Sequence, residues 1–340
     1  MKKVLVICLI VLLIVTAVGA WMVFGPATGF ESERRTLYIR TKAANKAAVL
    51  DSLRVNKIVK QTSLFSWLAT RMNYWKNIKP GKYDIKKGSN LISIIRQLRN
   101  GQQTPVNFTI TKIRLKEDLA RMAGTKFEFD SADMILFLNN ADSLKKYNAD
   151  PETALWVVMP DTYTYFWNTT PEKVYKKMAE ASKKFWTEER KHKAAEQGIT
   201  PVQAYILASI IDEETNANKE KATIASVYLN RIRKGMPLQA DPTIKFALKD
   251  FGLKRIYEKH LFVTSPYNTY RNRGIPPGPI CTPSKTTIDA VLNAPHTDYL
   301  YFAASPDFNG THIFATTYSE HMKNAHAYQQ ALNERIQPTE

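Results

Sequence analysis

The stretch that most constrains this chain is its beginning. Met1-Lys2-Lys3 leads into VLVICLIVLLIVTAVGAWMVF, Val4 to Phe24, which carries no charge. Roughly 20 apolar residues are enough to cross a bilayer core as a helix. Lys2 and Lys3 favour a cytoplasmic N-terminus, and Trp21 sits near the far interface, where aromatic residues gather. The rival reading is a cleaved signal peptide, with Val18-Gly19-Ala20 as its small-residue site. Signal cores hold only ~7–15 apolar residues, and this run continues past Ala20. It therefore reads as an uncleaved single-pass anchor in the cytoplasmic (inner) membrane. On either reading, everything after Gly25-Pro26 is exported.

Export bears on the composition. The chain has 340 residues, room for two domains and a substantial core. Its 48 Lys plus Arg exceed its 31 Asp plus Glu, a formal net charge of +17. Such a field favours acidic lipid, an acidic polymer or nucleic acid. No RNP, zinc-finger or helix-turn-helix pattern selects nucleic acid, and export argues against it. Cys8 lies in the apolar run and Cys281 in a Pro-rich loop, on different sides of a domain boundary, so no structural disulfide is expected. A thiol nucleophile is the minor reading of Cys281.

Periodicity then divides the exported part. Residues 36–41 alternate as a strand, 45–53 and 63–73 read as helices, and Lys79 to Ile85 is a turn feeding a short strand. Ser89-Asn90 supplies the cap of a helix at 91–99 that stops at Asn100-Gly101, and 106–110 alternates again. Together these make a small α+β module. Residues 115–123 and 131–139 look helical, and MPDTYTY (159–165) is an aromatic loop or strand. One long Lys-rich helix is expected over 171–197, with Pro171 in its first turn and Gly198 beyond its end.

The stretch from Pro201 to Thr215, PVQAYILASIIDEET, is apolar on nearly every side until it ends in Asp212, Glu213 and Glu214. A helix of that kind is buried. A carboxyl beside apolar surface has a raised pKa and becomes a general acid. Helical spacing sets Glu214 over Ile211, Ile210 and Leu207, the most apolar stripe. Asp212 sits over Ser209, Ala208 and Tyr205, and Glu213 over an intermediate stripe. Glu214 is best placed, by a margin that leaves all three as candidates.

A second helix follows at 219–233, then LQADPT (238–243), YNTY (267–270) and GIPPGPI (274–280). Amide, hydroxyl and aromatic groups held on Pro and Gly backbones suit a polar, uncharged substrate such as a sugar chain. The expected substrate contacts are Gln239, Asp241, Tyr267, Asn268, Thr269, Asp161 and His312. Asp241 reads equally well as a turn residue before Pro242, and His312 as a packed side chain. His321 and His326 have the wrong spacing for a metal pair, so no metal and no cofactor are expected.

In order and spacing, LASIIDEET, VYLNRI, LQADPT, YNTY and GIPPGPI resemble the endolytic murein transglycosylase family of the MltG/YceG type. MPDTY, Tyr299 to Phe302 and His312 to Phe314 look like the same family, as does GKYDI, within its LysM-like region. The resemblance implies an α+β protein: a cytoplasmic tip and transmembrane helix (1–25), a linker (26–35) and a LysM-like α+β module (36–110). A connecting helical region (111–200) would pack on a larger mixed α+β catalytic domain (201–335). In the family pattern Glu-x-Glu-Thr the second Glu is catalytic, which corresponds to Glu214. Asp212 replaces the first Glu, and Glu213 stands where Lys is frequent.

The implied activity is a lytic transglycosylase. Glu214 would protonate the oxygen between N-acetylmuramic acid and N-acetylglucosamine, and the muramic 6-hydroxyl would close a 1,6-anhydro end. A muramidase-type hydrolase would need a second carboxylate, Asp161 or Asp241. A non-catalytic peptidoglycan-binding scaffold is the alternative from another class. Expected partners are peptidoglycan glycan strands and the bilayer, with peptidoglycan synthases as candidates and no nucleic acid.

Overall fold

The computed structural model describes residues 2–336. They form two compact units. The first comprises residues 1–108, 124–129 and 164–170, and the second comprises 109–123, 130–163 and 171–340.

The first unit opens with α1 (Lys2–Phe24), long and apolar enough to cross a membrane. Its leucines and isoleucines, and its valines from Val4 to Val18, are exposed. β1 (Arg34–Ile39) follows, then α2 (Lys46–Val55), α3 (Thr62–Arg71), β2 (Gly81–Lys86) and α4 (Leu91–Asn100). β1 and β2 pair antiparallel from Arg34 opposite Lys86 to Ile39 opposite Gly81. Their alternation turns Leu37, Ile39, Tyr83 and Ile85 inward, against Val49, Leu53, Phe65, Ile94 and Leu98 of the helices. Asn90 caps α4 by accepting the Ser93 N–H at 2.8 Å. Gly101 closes it in the left-handed conformation that glycine adopts without strain (φ 69°).

The chain continues through β3 (Val106–Ile110), α5 (Lys116–Lys126), α6 (Ser131–Leu138), α7 (Ala141–Lys145) and β4 (Asp161–Tyr165), with β3 paired to β4. The Lys-rich stretch is two helices, α8 (Pro171–Phe185) and α9 (Glu188–Glu196), not the single one its pattern suggests. The break lies at Trp186-Thr187. Trp186 is buried, and Thr187 turns extended so that its hydroxyl accepts the Arg190 N–H and caps a new helix. A β-branched capping residue beside a large buried ring outweighed the run of helix-favouring lysines.

The second unit is built around α10 (Pro201–Glu214). Thr200 and Gln203 form a reciprocal capping box at its start, with Pro201 in the first turn. Every residue from Ala204 to Asp212 is buried. Around α10 pack α9, α11 (Asn218–Arg233), α12 (Asp241–Leu248) and α13 (Lys285–Leu292). The hairpin β5 (Tyr301–Ala304) and β6 (His312–Ala315), with α14 (Tyr318–Ile336), completes the unit. Polar groups on the buried helix are matched. Tyr205 donates to the Val158 carbonyl at 2.6 Å, and the Ser209 hydroxyl accepts the Ile280 N–H at 3.0 Å. The latter bond fastens the GIPPGPI loop to the helix. Cys281 is fully buried there, its thiol donating to the Ser209 carbonyl. Burial pushes that thiol well above the ordinary range, so it packs rather than reacts.

Candidate active site

The three acids that end α10 have three different surroundings. Asp212 is buried, and its carboxylate takes Lys221 Nζ at 2.6 Å, the Thr287 hydroxyl and Lys112 Nζ at 3.4 Å. Burial alone would raise its pKa. The hydrogen bonds from Lys221 and Thr287 and the charges of Lys112 and Lys221 outweigh it and hold Asp212 below the usual range. Glu213 is held by Arg114 Nη2 at 2.8 and 3.1 Å and by Lys112 Nζ at 3.2 Å.

Among the described residues no cation pairs with Glu214 in this way. Its hydrogen bond comes from the Tyr228 hydroxyl to Oε1, at 2.6 Å. The carboxyl is pushed up to about 7. Loss of hydration is the main cause, opposed by the Tyr228 bond, and the negative charge of Asp241 adds to it. Lys245 and Arg231 act in the opposite direction from further off. Half-buried, Glu214 therefore holds a proton near neutral pH while remaining accessible.

The supports of this acid come from elements far apart in sequence. Tyr228 lies on α11 with its ring edge-on to Phe302 of β5, centroids 5.9 Å apart. Burial keeps its hydroxyl protonated and hence a donor. Arg231, one turn further along α11, is buried and donates to the Leu300 and Leu238 carbonyls at 2.7 and 2.6 Å. It thereby ties β5 to the start of the LQADPT loop. Asp241 begins α12 and accepts the Tyr270 hydroxyl at 2.5 Å. Acid, phenol, second carboxylate and second phenol thus converge from α10, α11, α12 and the YNTY loop.

A family model described as the YceG-like family matches residues 38–327. The chain belongs to the YceG-like family. It is 28% identical over 305 residues to an endolytic murein transglycosylase of Bacillus subtilis (strain 168), covering 85% of this chain and 83% of that protein. It is 26% identical over 302 residues to an endolytic murein transglycosylase of Streptococcus pneumoniae (strain D39), covering 78% of this chain and 53% of the relative. The chain thus spans about half the length of that second protein. A crystal structure of a YceG-like protein from Listeria monocytogenes superposes with a TM-score of 0.56 at 28% identity, covering 86% of this chain and 99% of that one.

Within this YceG-like chain the other expected contacts are distributed unevenly. Gln239 sits at φ 51° immediately before Ala240 and Asp241, its N–H donating to the Thr269 carbonyl. Thr269 is buried, its hydroxyl against the Ala240 N–H and the Thr243 hydroxyl. Asn268 is fully buried as well, its amide donating to the Leu261 and Val263 carbonyls and accepting the Tyr270 N–H. Both were expected to touch sugar, and both have their polar atoms bonded within the protein. Their polar atoms brace the loop that presents Tyr270 to Asp241, because a Pro-and-Gly backbone without regular structure must satisfy its own carbonyls.

Tyr267 is buried to 8% exposure, with its hydroxyl on Glu152 at 3.0 Å. Asp161 pairs with Lys285 at 2.8 Å on the exposed side of β4. That hydrogen bond and the Thr162 N–H keep its carboxyl low. His312 gives its backbone N–H to Glu220 at 2.7 Å and sets its ring edge-on to Phe302, which in turn meets Tyr228. Its Nδ1 also lies 3.2 Å from Glu220 Oε2. Tyr228 and Arg231, within the VYLNRI motif of the second helix, are not among the expected contacts. Their signal was chemical: a phenol and a guanidinium on a helix that is otherwise buried require partners.

Proposed function

We propose that this protein is a membrane-anchored endolytic murein transglycosylase that cuts the bond between N-acetylmuramic acid and N-acetylglucosamine. The observation that carries the reading is the condition of Glu214. It alone of the three acids meets a neutral donor instead of a cation, with its pKa pushed up to about 7. A group in that state can give a proton to a glycosidic oxygen and take one back. The likeness to relatives named endolytic murein transglycosylases supplies the substrate class.

Tyr228 fixes Oε1, leaving Oε2 to carry the proton toward the substrate. As that proton passes to the bridging oxygen, the bond to the muramic anomeric carbon breaks through an oxocarbenium-like state. The negative charge of Asp241 nearby favours both the protonated acid and the developing cation. The muramic 6-hydroxyl then attacks the anomeric carbon and its proton passes to the ionised Glu214, restoring the acid. The nucleophile is intramolecular, so no carboxylate is needed to activate water.

α1 supports an anchor in the cytoplasmic membrane with the rest exported, which would confine cutting to glycan near the bilayer. The module at 36–110 is proposed to be the LysM-like part that holds glycan. Its compact core and the two lysines of β2, Lys82 and Lys86, support that role.

Purified murein digested with the full chain in detergent micelles, with products separated by mass, tests the reading. Expected are 1,6-anhydromuramic ends that disappear in Glu214→Gln. Reducing ends would make the enzyme a hydrolase with Asp241 as base. Absence of any product from a folded, murein-binding protein would make it a scaffold.

A further inference from the structure

A cavity of about 400 Å³ opens in the second unit beside the proposed site but is not lined by Glu214. Two connections link it to that site. Arg114, in its wall, is the residue that holds Glu213, the neighbour of Glu214. Phe246, Ala247 and Lys249, in the opposite wall, are the far end of α12, which begins at Asp241. Eight residues of helix span ~12 Å, so the cavity lies about that far from Asp241.

Its lining combines apolar surface with charge. The floor is aromatic and aliphatic: the Tyr267 ring lies tilted against Phe246 with centroids 4.6 Å apart, beside Leu155 and Pro279. Around that floor stand charges of both signs, Arg114, Lys116 and Lys249 against Glu117 and Glu152. Glu152 is oriented by the Tyr267 hydroxyl, and Lys116 by the Pro151 carbonyl at 3.0 Å. Arg114 bonds Glu213 through Nη2, while its Nε has no hydrogen-bond partner among the described residues. The wall is also tightly built. A Cβ at Gly278 would come within 2.2 Å of the Glu152 carbonyl oxygen and 2.7 Å of the Tyr267 hydroxyl. Only glycine allows that approach.

A neutral glycan offers nothing for five charged side chains to bind. A short zwitterionic peptide does: carboxylates for the lysines, an amine for the glutamates and small apolar side chains for the floor. Resting on the murein reading above, we infer that this cavity is the subsite for the peptide that muramic acid carries, with Lys249, Lys116, Glu117 and Glu152 as its specificity-determining residues. The distance agrees. Three to five extended residues span ~10–18 Å, enough to reach the cavity from a sugar bound at Glu214. The site would make the enzyme prefer strands that still bear their peptides over strands that have been stripped.

The test compares kcat/KM on peptide-bearing strands with that on the same strands after amidase treatment. A wild-type ratio well above one is expected, falling about tenfold toward one in Lys249→Glu and in Glu152→Gln, the loss of one charge-assisted bond. A wild-type ratio of one, or a ratio that neither variant changes, overturns the proposal. Binding separates this proposal from the reading it rests on. Full-length Glu214→Gln in micelles is titrated calorimetrically with the tripeptide L-Ala-γ-D-Glu-L-Lys. Saturable binding that Lys249→Glu weakens about tenfold supports the subsite even if no strand is cut, and heat no greater than dilution removes it. Absence of cleavage on both substrates counts against Glu214 as the acid and leaves the calorimetry to decide the cavity.

Discussion

The last turn of α10 has two faces, and they solve opposite problems with the same functional group. On the inner face Asp212 is surrounded by Lys221, Lys112 and Thr287 and is held ionised. On the other face, two residues later, Glu214 meets a phenol, a second carboxylate's charge and little water, and its pKa is pushed up to about 7. The difference teaches that burial does not by itself make an acid. Asp212 is the more buried by exposed area, yet two cations and a hydroxyl reverse what burial does to it. A buried ion pair of this kind locks geometry, and the geometry it locks is the helix end that carries Glu214.

The comparison breaks most sharply by exchanging the two roles. Glu214→Gln should lower turnover on murein by about 10²–10⁴-fold, the usual contribution of a positioned acid, while the protein stays folded. Circular dichroism alongside the product assay checks both halves. Asp212→Asn should do the reverse. It leaves Lys221 charged and buried without its partner, a loss of about 3–5 kcal/mol, read as a lower midpoint in urea. If Glu214→Gln unfolded the chain and Asp212→Asn did not, the two faces would have been assigned the wrong way round.

A subtler effect follows from linkage. The folded-state pKa of Glu214 lies above the ordinary 4.5, at about 7. The native state therefore binds the proton more tightly than the unfolded chain. Its contribution to stability is fully present below about 4.5 and is lost as pH rises through 7. Glu214→Gln, which never ionises, should match wild type at pH 4 and exceed it at pH 8 by roughly 1–3 kcal/mol. Urea melts at the two pH values measure this. The same titration should make wild-type kcat/KM decline above pH 7.

The smallest expected change is at Tyr228. Tyr228→Phe removes the bond that opposes the upward shift, so the alkaline limb of the rate profile should move to higher pH by about one unit or less. Turnover should fall only several-fold, because desolvation, the larger cause, remains. A shift to lower pH would contradict the direction assigned to that bond.

Much of this was legible in the sequence because the strongest signals were physical extremes. A charge-free run from Val4 to Phe24 and an all-round apolar helix ending in acids admit few structures, and α1 and α10 are where those patterns put them. Asn90 and Gly101 marked the ends of α4 by their backbone chemistry. What the sequence hid was set by tertiary contact. The break between α8 and α9 depends on burying Trp186. α12 and α13 are short helices whose weak local patterns are completed by packing against α10. The ranking of the three acids was narrow because periodicity sees only the helix. Lys112, Arg114, Lys221 and Tyr228, which decide it, come from four positions outside that turn. The internal hydrogen bonds of Asn268 and Thr269 were equally hidden, because amides and hydroxyls that suit a sugar also suit an irregular backbone.

The difference between the two faces rests on the protonation of one carboxyl, and that can be observed directly. Full-length protein labelled with ¹³C at the glutamate carboxyl carbon, in micelles, is titrated by NMR, with Glu214 assigned as the resonance missing in Glu214→Gln. A midpoint at about 7 is the expected result. A midpoint at the ordinary 4.5 would mean that Glu214 is ionised at neutral pH and is not the proton donor.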